Sequence, residues 1–121
     1  MPQVLIAEDD GELRVLLAEL LTDKGVTVMQ AADGMQAAQM LKNDAGISLL
    51  VSDVKMPRMD GYALVEEALV HNPELKILMM TAFIEERPPP AALKAREIRV
   101  LLKPFDLDNM CDRVIEMLAR P

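Results

Sequence analysis

Five short apolar runs recur along this chain, and each ends in polar chemistry. Val4-Leu5-Ile6-Ala7 runs into Glu8-Asp9-Asp10, and the apolar residues of 48–53 run into Asp53. Residues 26–31, 75–81 and 98–102 are the other three. Runs this short and this apolar fit strands buried on both faces, as in a parallel sheet. Between them the apolar spacing changes to helical. Leu13, Leu16, Leu17, Leu20 and Leu21 make one stripe; Ala37, Met40 and Leu41 a second; Leu64, Val65, Ala68 and Leu69 a third. Leu107, Met110, Cys111, Val114 and Leu118 make the last, and residues 85–96 read as a weaker helix carrying Pro88-Pro89-Pro90. Strand and helix alternating five times predicts a doubly wound α/β fold around a five-stranded parallel sheet.

The punctuation agrees. Asp10 is placed to cap the first helix, and Lys24-Gly25 to stop it with Gly in the left-handed position. Asp33-Gly34 turns the chain, and Asn72-Pro73 ends the third helix because proline cannot continue one. With 121 residues, no repeat and no linker, the whole of 1–121 reads as one domain. Apolar residues are 51% of the chain but aromatics only 2%, so the core must be aliphatic. The ten methionines read as packing.

A net charge of −7 opposes general nucleic-acid binding, which needs a basic face. No run is apolar enough for a membrane span or a secretory signal, and the single Cys111 suits a reducing cytoplasm. Cys111 lies on an apolar stripe and reads as a core thiol, whereas His71, near a helix end, reads as a surface residue.

In open parallel sheets ligands bind beyond the carboxyl ends of the strands. Glu8, Asp9, Asp53, Thr81 and Lys103 all lie at such ends. Taken singly, each has a plainer reading: a solvated helix cap, a strand-end hydroxyl, an ordinary lysine, and for Asp60-Gly61 a turn. Their common placement at one rim favours a site. Three carboxylates brought together repel unless a cation joins them. A hard, oxygen-preferring ion such as Mg²⁺ suits them, and it also neutralises charge on a transferred phosphoryl group. Asp53 is then placed as a nucleophile that forms an acyl phosphate, with Lys103 and Thr81 facing the phosphoryl oxygens.

The stretches VLIAEDD, LLVSDVKMPRMDG, MMTAF and LLKPF together resemble the receiver domain of bacterial two-component response regulators, over essentially the whole chain. The resemblance implies a flavodoxin-like sheet of strand order 2-1-3-4-5 and a regulatory protein rather than an enzyme. It implies Asp53 as phosphoacceptor, and Mg²⁺ (or Mn²⁺) held by Glu8, Asp9, Asp53 and the backbone carbonyl of Lys55. Thr81 and Lys103 would contact the phosphoryl group, and a cis peptide bond would precede Pro104. The donor would be a phosphohistidine on a sensor histidine kinase or a histidine phosphotransfer protein, and the phosphorylated chain would act on a downstream protein target. With no output domain following, the chain would be a stand-alone or excised receiver.

Three features depart from that family. Arg99-Val100-Leu101-Leu102 lacks the aromatic often found two or three positions before the lysine. Arg96-Glu97 replaces a common Gly-Ala pair, and three prolines interrupt the segment 85–96. These features predict that phosphorylation orders the loop 83–88, with protection from hydrogen exchange rising over 82–93, rather than rotating an aromatic. Lys55 and Phe83, flanking the path of hydrolytic water in the family, predict a long-lived phosphoryl group. The alternative function is a phosphorylation-independent binding module on the same fold, against which the complete acid, Thr and Lys set argues. A dehalogenase-type phosphatase would want an acid where Lys55 stands, and a flavin protein would want a phosphate loop where three acids stand.

Overall fold

The computed structural model describes residues 3–81, 98–103 and 105–119. The elements are β1 (Gln3–Ala7), α1 (Gly11–Asp23), β2 (Thr27–Ala31), α2 (Gly34–Asn43), β3 (Ile47–Asp53), α3 (Gly61–His71), β4 (Lys76–Thr81), β5 (Arg99–Leu102) and α4 (Leu107–Ala119). The expected weak helix over 85–96, its prolines, Phe83 and Pro104 lie outside the described residues.

The strands form one parallel sheet in the order β2-β1-β3-β4-β5. Side-chain alternation along each strand divides the core into two layers. Leu5, Ala7, Leu50, Ile77 and Met79 face one side and pack with Ala37, Leu64, Val65 and Ala68 of α2 and α3. Val4, Ile6, Leu49, Val51, Leu78 and Met80 face the other, with Leu17, Leu21, Met110, Cys111, Val114 and Met117 of α1 and α4. The core is aliphatic apart from buried Tyr62 on the first face and partly buried Phe105 on the second, and burial raises the Cys111 thiol pKa.

Each described helix opens on an aspartate. Asp10 accepts from the amides of Glu12 and Leu13, Asp33 from Gln36, Asp60 from Ala63, and Asp106 from Asp108 and Asn109. These bonds satisfy amides that a helix start leaves without partners. Gly25, at φ +89°, ends α1 in the left-handed region, as its sequence position implied.

Three details differ from the sequence reading. Strands β1 and β3 begin one residue earlier than their apolar runs, at Gln3 and Ile47, and β2, β4 and β5 one residue later, at Thr27, Lys76 and Arg99. Leu16 points to solvent although it falls in the helical stripe, because α1 buries only the arc through Leu17, Ala18 and Leu21 against the sheet. Asp60-Gly61 is the start of α3 rather than a simple turn: a Cβ at Gly61 would collide with the backbone oxygen of Asp53. The third helix can begin close to the end of β3 only if that residue has no side chain.

Candidate functional site

The strand ends converge at the centre of the sheet. Asp53 is the last residue of β3, held between β1 and β4. Glu8 follows β1 and is fully buried, with its amide donating to Ala31 O at the end of β2 (3.1 Å). Thr81 closes β4 and is buried, and Lys103 follows β5, its amide donating to Thr81 O (2.8 Å). Four strands therefore deliver the predicted groups to one rim.

Lys103 joins them. Its ammonium donates to Glu8 Oε1 at 2.9 Å and to Asp53 Oδ2 at 2.8 Å. One cation thus serves two buried carboxylates, and a surplus of negative charge remains. The other oxygen of Glu8 accepts from the amide of Asp10 (3.3 Å), and Asp53 Oδ1 from the amide of Lys55 (3.4 Å). Desolvation raises the Glu8 pKa from 4.5 to about 7, against the pull of Lys103 and with the charge of Asp53 adding to it. For Lys103, burial works against the charged form, yet the hydrogen bonds and charges of Asp53 and Glu8 outweigh it and hold the ammonium pKa above its ordinary value.

Carboxylate oxygens of Glu8, Asp9 and Asp53 all come within 4.8 Å of one another, with Asp9 the exposed member. The donors are hard oxygens, one side opens to solvent, and an excess acid awaits a counter-charge. That chemistry fits a divalent cation with water ligands, of the Mg²⁺ kind. The Lys55 side chain is exposed, and its amide is the one that donates to Asp53 Oδ1. The side chains of Glu8, Asp9, Asp53 and Lys103 are brought together, and Thr81 is buried at the end of β4 with its backbone oxygen bonded to the Lys103 amide; the Lys103–Pro104 peptide bond lies outside the described residues.

Sequence reasoning passed over two further arrangements. Arg14, on the first turn of α1, donates from Nη1 to Glu8 O (2.9 Å) and from Nε to Gln30 Oε1 (3.2 Å). Its position four residues after Asp10, on the turn that begins beside the acids, was the available signal. Arg58, in the β3–α3 loop, adopts φ 70° and pairs with the buried Asp33 at 3.3 Å. Left-handed backbone is uncommon for a residue with a side chain, and no sequence rule marked it. Beside this pair, a Cβ on Gly34 would collide with Met59 O, so the loop after Asp53 lies directly against the start of α2.

The response regulator receiver domain family matches residues 4–115. The response regulator receiver protein CpdR of Brucella abortus (strain 2308) is 35% identical over 118 residues, covering 98% of each chain. The sensor kinase CckA of the same organism is 34% identical over 121 residues, 97% of this chain but 12% of the kinase. A crystal structure of the receiver domain from the hybrid histidine kinase CckA superposes with a TM-score of 0.80 at 29% identity, covering 96% of this chain and 98% of that one. Among the described residues no helix is long and apolar enough to cross a membrane. Sheet order, strand-end chemistry and these matches agree: the chain belongs to the response regulator receiver domain family of two-component signalling, whose members are regulatory proteins rather than enzymes in the usual sense.

Proposed function

We propose that the chain, as a single receiver unit, takes a phosphoryl group from a phosphohistidine onto Asp53. An Asp53 carboxylate oxygen attacks phosphorus, the phosphorus–nitrogen bond breaks, and its electron pair leaves with the imidazole. The product is an acyl phosphate. Glu8, Asp9, Asp53 and the Lys55 carbonyl would hold Mg²⁺ (or Mn²⁺), which when bound offsets the charge of the phosphoryl oxygens. Lys103 balances Asp53 at rest and turns its ammonium to a phosphoryl oxygen afterwards; Thr81 donates its hydroxyl to the same group. The single observation that carries this reading is the Lys103 ammonium bonded at once to Glu8 and Asp53 in a buried acidic pocket. A purely structural ion pair needs one acid per base, and the second buried acid is superfluous to it.

The donor would be a sensor histidine kinase or histidine phosphotransfer protein, as the likeness to the CckA receiver and to CpdR suggests, and the reaction would take place in the cytoplasm. The recipient of the signal would be a protein; the net charge of −7 disfavours nucleic acid. Incubation of the purified chain with a small acyl phosphate tests the proposal. One phosphoryl group should appear by intact mass, only with Mg²⁺ or Mn²⁺ present, and Asp53→Ala should abolish it. Equal modification of Asp53→Ala at the wild-type rate would overturn it.

A further inference from the structure

The loop that carries Glu8 and Asp9 is tied to the sheet at both of its peptide groups. The Glu8 amide bonds Ala31 O of β2 directly. The Glu8 carbonyl is reached from β2 only through a relay: Gln30 Oε1 accepts from Arg14 Nε, and Arg14 Nη1 donates to Glu8 O. Gln30 and Ala31 are consecutive, so one end of β2 fixes both faces of the same residue. We propose that Arg14 and Gln30 are positioning residues for the metal-binding acids, setting cation affinity without touching the ion. This rests on the proposed reading of Glu8 and Asp9 as ligands.

The physical link is the planarity of the peptide bond. The Glu8 carbonyl belongs to the plane that ends at the Asp9 Cα. Holding that oxygen fixes the direction in which Asp9 leaves the strand, and hence where its exposed carboxylate stands relative to Glu8 and Asp53. The planar guanidinium can serve the carbonyl and the Gln30 amide oxygen together, because its donors form a rigid fork. A lysine presents one ammonium on a flexible stem and lacks that geometry. Residues that orient metal ligands in this way affect metal affinity about 10- to 100-fold.

Electrostatics makes the opposite prediction, which gives the test its edge. Arg14 is a cation beside an acidic pocket, so deleting its charge alone should tighten Mg²⁺ binding. Deleting a positioning residue should weaken it. The experiment is calorimetric titration of the metal-free chain with MgCl₂, with thermal unfolding in chelator run alongside. Arg14→Ala should bind Mg²⁺ about ten-fold more weakly than wild type. Arg14→Lys, which keeps the charge, should also bind more weakly. Gln30→Leu changes no charge and alters an exposed side chain, so folding is not at risk; it should show a smaller loss. The double variant Arg14→Ala/Gln30→Leu should match Arg14→Ala alone, because Gln30 acts through Arg14. Wild-type or tighter affinity in Arg14→Ala, or additive losses in the double variant, overturns the assignment while leaving the proposed function standing. A wild-type chain that binds no Mg²⁺ overturns both.

Discussion

Asp9 and Lys103 stand on opposite sides of the same chemistry, and their replacement should have different consequences. In the proposed site Asp9 would offer an oxygen to the metal ion; Lys103 is itself a cation, bonded to Glu8 and Asp53. Asp9→Ala should weaken Mg²⁺ binding by at least about ten-fold and slow phosphorylation with it. Lys103→Ala removes a cation that competes for Glu8 and Asp53, so Mg²⁺ affinity should hold or tighten while the phosphoryl step is impaired. Titration of both variants separates the roles, and equal loss of affinity in the two would contradict them. Glu8 gives a third residue-level test, in metal-free solution. Its pKa rises from 4.5 to about 7 on folding, so the folded chain holds the proton more tightly than the unfolded chain. The resulting stability is fully present below pH 4.5 and is lost as pH rises through about 7. Denaturant unfolding in chelator at about pH 5 and about pH 8 should therefore show wild type losing stability across the interval, and Glu8→Gln should lack that component of the slope. A slope unchanged in Glu8→Gln would place the titration elsewhere.

At the scale of elements, the site depends on where helices begin. Asp60 caps α3, and its replacement by Ala should cost about 1 kcal/mol. Gly61→Ala should cost more, about 1–3 kcal/mol or above, because a methyl group there meets the backbone of Asp53 itself. The two losses should also differ in kind: only Gly61→Ala should move Asp53 and slow its proposed phosphorylation. Denaturation midpoints and phosphorylation rates of the pair measure this, and equal rates in the two variants would count against it. The sequence disclosed the elements because apolar runs and helical stripes have different periods, and it disclosed the caps because aspartate before a helix has a local cause. It did not disclose the role of Gly61, whose constraint is a contact with the end of another element. Leu16 misled for the same reason: a stripe five leucines long exceeds the arc that α1 can bury. The left-handed Arg58 and its bond to Asp33, 25 residues earlier, likewise belong to the packed chain rather than to any local pattern.

Across the whole molecule, the sheet order is what turns four separated stretches of sequence into one site. β1 and β3 are neighbours at the centre, β4 lies next to β3, and β5 next to β4. Glu8, Asp53, Thr81 and Lys103 therefore meet although 95 residues separate the first from the last. Their types and strand-end positions were legible, since a buried carboxylate at a strand end demands a partner. The pairing of one lysine with two acids was not, since it needs the inter-strand spacing. Nor was the Arg14–Gln30 relay, because neither residue carries chemistry of its own. If Asp53 becomes an acyl phosphate, reductive trapping records it at that residue. The chain is treated with a small acyl phosphate and Mg²⁺, reduced with borohydride, and digested for peptide mass spectrometry. Hydride displaces phosphate from an acyl phosphate and leaves an alcohol, so homoserine is expected at position 53, and aspartate there when donor or Mg²⁺ is withheld. Homoserine at Asp9, Asp10 or another acid, with aspartate retained at position 53, would contradict it.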